Sequence, residues 1–332
     1  MLEKTLWHPV ALSHVVGGQP LAVTLLGEDL VLWRDGSGAT QAWQDQCPHR
    51  GARLSMGRVQ GGELECPYHG WRFEGGGRCT HIPATPDFQP GPRHGAHVHE
   101  AREAYGMVWV RLAAPEGEPL PIHDLPAFAA EAETRLRKTT SGPYVVAASA
   151  PRIIENFLDM AHFGYVHDGW LGSRAHTTIE PYEVTRTERG VLATGCQAWQ
   201  PRSSIHAESG AQVEYTYEVT APYMAVLTKV PEAGTTAIEG MQESIAMFVC
   251  PVSEESSVAW TRMAMNDFES PDARLIDFQD TIFSQDKPIL ESQRPKRLPL
   301  APGAEAHAAV DRMSTAYRRY LKDSGISFGV IA

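Results

Sequence analysis

The chain reads as α+β, an all-β unit followed by a mixed one. Three observations carry this: short apolar runs between glycine turns up to Val110, a proline-rich break after it, and helical periodicity from about residue 153. From Leu21 onward, runs such as LVLW (30–33) and MVWV (107–110) have the length of strands, and Gly61-Gly62 and Gly75-Gly76-Gly77 punctuate them as turns. APEGEPLPIHDLP (114–126) offers little that packs as helix or strand, which places the boundary there and gives units 1–118 and 119–332. Beyond it, IIENFLDMAHF (153–163) has apolar residues at helical spacing, with Gly164 expected to loosen or end that helix. VEYTYEV (213–219) and SVAWTRM (257–263) read as strands, and 273–294 as helix again. The second unit is therefore expected to be an antiparallel sheet flanked by helices.

Composition narrows the partners. A length of 332 residues suits two domains with their own cores, and 42% hydrophobic with 21% charged residues is ordinary for a folded globular chain. The net charge of -11 disfavours nucleic acid and anionic membrane surfaces, leaving small molecules and proteins. The start, MLEKTLWHPV, has no signal-peptide pattern, and no apolar run is long enough for a membrane span, so a cytoplasmic location is expected. Cys47, Cys66, Cys79, Cys196 and Cys250 are too scattered for a secreted disulfide framework, which leaves burial or metal binding.

Cys47-Pro-His49 and Cys66-Pro-Tyr-His69 form a C-x-H, sixteen intervening residues, C-x2-H pattern, each pair set in a turn between strand-like segments. Two hairpin tips can present two ligands each. Two thiolates with two imidazoles suit either tetrahedral zinc or a [2Fe–2S] cluster whose irons take the cysteines and the histidines separately. The flanks CPHRGA (47–52) and CPYHGW (66–71) resemble the Rieske motif. Respiratory Rieske proteins add a bracing disulfide and a serine, whereas this chain has Ala52, Tyr68 and Trp71. That resemblance implies a potential toward the lower end of the Rieske range, roughly −150 mV.

A second constellation lies in Asn156-Phe-Leu-Asp159-Met-Ala-His162-Phe-Gly-Tyr-Val-His167, where Asp159 and His162 are three apart on the expected helix and share a face. His162 and His167 can bind one metal through neutral nitrogens, and a carboxylate from elsewhere would complete a two-histidine, one-carboxylate facial triad for Fe(II). The segment resembles the N-x2-D-x2-H-x4-H signature of Rieske non-haem iron oxygenases. SQDKPILESQRP (284–295) resembles the late helix that supplies their third ligand, which nominates Asp286 over the chemically similar Asp277 and Asp280.

The likeness spans nearly the whole chain, from WHPV near the start through FLDMAHFGYVHDGWLG (157–172), and departs around PVSEESSVAW (251–260). It points to the short oxygenases without a β subunit, such as vanillate and dicamba O-demethylases and related N-demethylases. It implies a Rieske domain followed by a helix-grip catalytic domain, a [2Fe–2S] cluster, a mononuclear Fe(II), O2 and a small aromatic or heterocyclic substrate. Electrons are implied to come from NAD(P)H through a reductase, with or without a ferredoxin. A homotrimer is implied too, in which Asp159 bridges His162 to His69 of the partner subunit. The role of Asn156 stays open, as a hydrogen-bonding amide or a weak outer ligand. Met247, Phe248, Trp260 and Phe278 are candidates for a pocket wall, with plain core packing the better expectation for each. Hydroxylation or demethylation is the main expectation, and ring cis-dihydroxylation the alternative. The purified protein is expected to carry about three irons and two acid-labile sulfides per chain. Stoichiometric zinc without sulfide in the metal and sulfide analysis would overturn this.

Overall fold

The computed structural model describes all 332 residues, which form two compact units, Glu3–Pro119 and Leu120–Ala332 with the first two residues. The first unit is β-structure joined by 3-10 turns. A six-stranded antiparallel sheet runs His8–Leu12, Met107–Arg111, Val98–Ala104, Thr40–Gln44, Glu28–Arg34, Leu21–Leu25. A four-stranded sheet follows the chain from Arg58–Gln60 through Glu63–Glu65 and Arg72–Phe73 to Cys79–His81. The runs LVLW and MVWV are buried at every residue, so neighbours cover both faces of those strands, which explains why they read as continuous apolar runs without alternation. One core cluster joins Trp33, Trp43 and Phe73 to Leu54, Leu64, Cys47 and Cys66. Its large rings meet edge to face, with Trp33 and Trp43 centroids 4.9 Å apart.

The second unit is a seven-stranded antiparallel sheet in the order Arg137–Val146, Ser256–Met265, Glu243–Ser253, Met224–Pro231, Ala211–Ala221, Val191–Gln200, Glu183–Arg186. With its helices it makes the chain α+β and mostly β, as the sequence implied. Ala211–Ala221 alternates buried and less buried residues along most of its length, as a strand with one covered face should. Four helices accompany the sheet: α1 (Ala150–Phe157), α2 (Phe163–Val166), α3 (Asp272–Ser292) and α4 (Arg312–Asp323). The 21-residue α3 lies against the strand Arg137–Val146 and also meets α1.

The helix expected across 153–163 is interrupted earlier than the sequence suggested. It ends at Phe157, and Gly164 sits inside the short α2 instead of terminating a longer helix. Asp159 supplies the physical reason, because its Oδ1 accepts the Ala161 backbone N–H at 2.9 Å and offers the chain a turn in place of a further helical bond. Gly164 is needed for close approach, since a Cβ there would meet Thr177 Cγ2 at 2.9 Å and the Ser173 carbonyl oxygen at 3.0 Å. Asp159 and His162 therefore meet across a turn and not on one helical face.

A four-membered ionic network fixes α1 upstream of that turn. Arg318 on α4 donates to both oxygens of Glu155 at 2.6 and 2.9 Å, while Arg152 donates to both oxygens of Glu305 at 2.6 and 3.2 Å. A further bond of 2.5 Å from Arg318 to Glu305 closes the network. The hydrogen bond from Arg152, with Arg318 in support, outweighs partial burial and pulls the Glu305 carboxyl from its ordinary 4.5 down to about 2. A depressed carboxylate stabilises the fold above its unfolded value and loses that contribution as pH falls. Glu305→Gln is expected to lower the urea midpoint at pH 7 by about 0.5 M, a modest figure because the carboxylate is partly exposed. The gap to wild type should shrink between pH 4.5 and about 2; urea titrations across that range check it.

Candidate active site

Two loops of the first unit close in the same way. The Cys47 N–H donates to the Ala52 carbonyl at 2.8 Å and the Gly51 N–H to the Cys47 carbonyl at 2.9 Å. The Cys66 N–H donates to the Trp71 carbonyl at 2.8 Å and the Gly70 N–H to the Cys66 carbonyl at 3.1 Å. Gly51 and Gly70 occupy equivalent places with φ of 73° and 69°, a conformation that glycine adopts without strain. The second loop is a hairpin tip between Glu63–Glu65 and Arg72–Phe73. The first is not a hairpin tip but leads from the large sheet to the small one, because Thr40–Gln44 pairs with Glu28–Arg34 and Val98–Ala104.

The four side chains converge. Cys47 and Cys66 are buried, and burial with the adjoining Cys66 thiol pushes Cys47 up to about 12. Such a thiol pair sits idle unless a metal takes its protons. The His49 and His69 rings lie 4.6 Å apart, His49 stacks on Trp71 at 4.5 Å, and the buried His49 Nδ1 has no partner in the protein. Two paired thiols and an orphaned imidazole nitrogen fit a cluster held by two cysteines and two histidines. His69 is solvent-exposed beside Tyr68, whose ring lies 3.9 Å away. All five cysteines are free, so no disulfide braces the loops.

In the second unit, the two ends of α2 and the middle of α3 bring three donors to one point. His162 Nε2 lies 3.2 Å from His167 Nε2 and 3.4 Å from Asp286 Oδ1, and His167 Nε2 lies 3.2 Å from the same oxygen. Two donors at right angles, each about 2.2 Å from one ion, would be roughly 3.1 Å apart, so the spacing fits a single metal. The far ring nitrogens are held as well: His162 Nδ1 donates to Asp159 at 2.9 Å and His167 Nδ1 to Gln285 Oε1 at 2.7 Å. With Nδ1 committed as donor on both rings, each Nε2 lone pair is left facing the common point. Asn156 Nδ2 reaches Asp286 Oδ1 at 3.4 Å, so the amide acts here on a carboxylate.

Electrostatics agree with the geometry. Burial favours neutral His167, but Asp286 and Gln285 outweigh it and hold the imidazole above its ordinary value, so protons compete with a metal for Nε2. Burial also opposes ionisation of Asp159, and the hydrogen bond from His162 outweighs it and holds the carboxyl below its usual range. Asp277 and Asp280 lie on the same helix as Asp286 but outside the convergence, and Asp280 accepts the Tyr144 hydroxyl at 2.6 Å.

A cavity opens from this point between α3 and the sheet, walled by Leu227, Ile245 and Met263 on one side and Phe278, Ile282 and Phe283 on the other. Met247 and Phe278 line it, whereas Phe248 and Trp260 are buried outside it. Gln285, Lys229 and Glu243 were missed by sequence reasoning. Lys229 had a signal, since it falls two residues after Leu227, on the face that a period-2 strand buries.

Residues 6–95 match the Rieske [2Fe-2S] domain, and residues 146–324 match the vanillate O-demethylase oxygenase C-terminal domain. The methylxanthine N1-demethylase NdmA of Pseudomonas putida is 31% identical over 326 residues, covering 96% of this chain and 88% of that protein. The solved structure of Pseudomonas putida CBB5 NdmA with caffeine superposes with a TM-score of 0.80 at 28% identity, over 96% of this chain and 90% of that one. A shorter likeness, 41% identity over 125 residues, relates 37% of this chain to 21% of oxidoreductase NdmD of Pseudomonas putida. Gln285→Leu removes the acceptor on His167 Nδ1 and is expected to weaken metal binding about 10- to 100-fold. Cobalt(II) titration followed by absorbance checks it, and unchanged affinity would show that Gln285 does not position His167.

Proposed function

The chain belongs to the Rieske non-haem iron oxygenases, and from that premise we propose that it is the substrate-binding component of a monooxygenase that demethylates or hydroxylates a small aromatic or heterocyclic compound. The observation that carries the proposal is the convergence of His162, His167 and Asp286 at the head of a mostly apolar cavity. Cys47, His49, Cys66 and His69 would hold the [2Fe–2S] cluster, and His162, His167 and Asp286 the mononuclear iron. When bound, these groups supply single electrons and activation of O2, so that one oxygen enters a substrate C–H bond and the other leaves as water.

The protein's own residues prepare that chemistry. Asp159 and Gln285 lock the two imidazoles as Nε2 ligands, and the apolar walls exclude bulk water and orient a flat ring. An external NAD(P)H-dependent reductase, with or without a ferredoxin, feeds the protein in the cytoplasm. In this reading the chain works as a homotrimer. Asp159, partly exposed, and His69, exposed, suit a hydrogen bond from His69 of the partner subunit to the Asp159 carboxylate.

One experiment tests both parts. With a reductase, NADH, 18O2 and a panel of methoxylated and N-methylated aromatics, formaldehyde and one labelled oxygen per turnover are expected. A cis-diol carrying two labels would overturn the monooxygenase reading in favour of a dioxygenase. In the same assay Asp159→Asn is expected to keep cluster absorbance and most of its iron while product formation falls at least about tenfold, since charge-assisted hydrogen bonds are roughly twice as strong as neutral ones. Equal rates at matched iron content would remove Asp159 from the machinery.

A further inference from the structure

The sheet meets the cavity in rows. Tyr217, Leu227, Ile245 and Met263 are successive cross-strand partners and form a largely apolar row. The adjacent row, two residues along each strand, is Tyr215, Lys229, Glu243 and Met265. At its centre Lys229 Nζ and Glu243 Oε2 are 2.6 Å apart, with side chains only 6% and 11% exposed. Lys229 also donates to the Ser203 carbonyl at 2.9 Å. An ammonium has three protons, so one is left over, and Glu243 Oε1 takes no hydrogen bond from the protein.

Burying such a pair is expensive, and an apolar pair of similar volume would hold the sheet as well or better. The neighbouring row shows that this sheet accommodates Leu227 beside Ile245 at the same depth of the wall. The bond to Ser203 gives Lys229 a structural use, and the spare donor and spare acceptor, side by side on the wall of the cavity, give the pair a chemical one. Lys229 is the one lysine or arginine among the lining residues, and Glu243 already neutralises it. A carboxylated ligand would find no uncompensated positive charge there.

We propose that Lys229 and Glu243 are specificity-determining residues that select a neutral, planar heterocycle by its lactam edge. A ring carbonyl accepts from Lys229 Nζ, and the adjacent ring N–H donates to Glu243 Oε1. This deepens the oxygenase reading above and rests on the same cavity. It separates this site from one built for methoxybenzoates, whose carboxylate needs a free cation. Leaving either buried charge without its ligand partner carries the larger penalty of an unsatisfied charged group, which is the source of the discrimination.

The test is calorimetric titration of the iron-loaded enzyme with three probes: theobromine, which has a ring N–H flanked by carbonyls; caffeine, the same ring with that nitrogen methylated; and 4-methoxybenzoate. Theobromine is expected to bind at least about tenfold more tightly than caffeine, and 4-methoxybenzoate most weakly. Glu243→Leu removes the acceptor and frees the charge of Lys229, so it should abolish the preference for theobromine and strengthen 4-methoxybenzoate at least about tenfold. Lys229→Met should weaken theobromine by a similar factor. If either single variant fails to fold, the double variant Lys229→Met with Glu243→Leu restores an apolar pair and should bind both xanthines equally. An unchanged theobromine-to-caffeine ratio in the variants, or wild-type binding of 4-methoxybenzoate over theobromine, overturns the assignment. Formaldehyde release from 4-methoxybenzoate without theobromine binding would remove it while leaving the demethylase reading intact.

Discussion

Everything in the second unit depends on two imidazoles being made to present the same nitrogen to one carboxylate. A neutral histidine chooses between two tautomers of similar energy, and a pair left to itself would have no reason to align. Here Asp159 and Gln285 each accept from an Nδ1, and both Nε2 atoms are thereby turned on Asp286. The acceptors come from different elements, one from the turn after α1 and the other from α3, next to the carboxylate in sequence. Holding those elements in place is the task of the surrounding fold. The ionic network of Arg152, Glu155, Glu305 and Arg318 fixes α1, and the 21 residues of α3 carry Gln285 and Asp286 beside the sheet.

Much of this was legible in the sequence, and the reasons are local. Ligand types at fixed spacing in CPHRGA and CPYHGW need no tertiary knowledge, and the apolar runs at 30–33 and 107–110 mark strands because they are too short for helices. Asp286 became legible only through the resemblance of 284–295 to a known helix, since Asp277 and Asp280 are the same chemistry on the same element. The break after Phe157 was not legible, because it is made by a side-chain hydrogen bond that competes with a helical one, and periodicity does not register that competition. Gln285 and the pairing of Lys229 with Glu243 were not legible for another reason, although the strand period marks Lys229 as facing inward. Each gains its meaning from a partner at least fourteen residues away in the chain, His167 in one case and a cross-strand neighbour in the other.

The cavity has a graded character that follows from strand geometry alone. Successive rows of side chains on one face lie about 7 Å apart, so a change from an apolar row to a charged one occurs within the width of a small ring. The helix opposite supplies Phe278, Ile282 and Phe283 over the same span, and none of these offers a hydrogen bond. A flat ligand's faces meet mostly apolar groups there, so its edge carries most of the hydrogen bonding that orients it.

The twin loops of the first unit carry a consequence of their own. They share the same two closing hydrogen bonds, from the cysteine to the carbonyl five positions on, and the same glycine turn, yet the histidine stands at the second place after the cysteine in one and the third in the other. That single step of phase offset gives two chemically identical imidazoles different surroundings. His49 turns inward onto Trp71, and His69 turns outward into solvent beside Tyr68. A nearly symmetric scaffold thus acquires an inner and an outer side, set by the position of one residue within a loop of constant length.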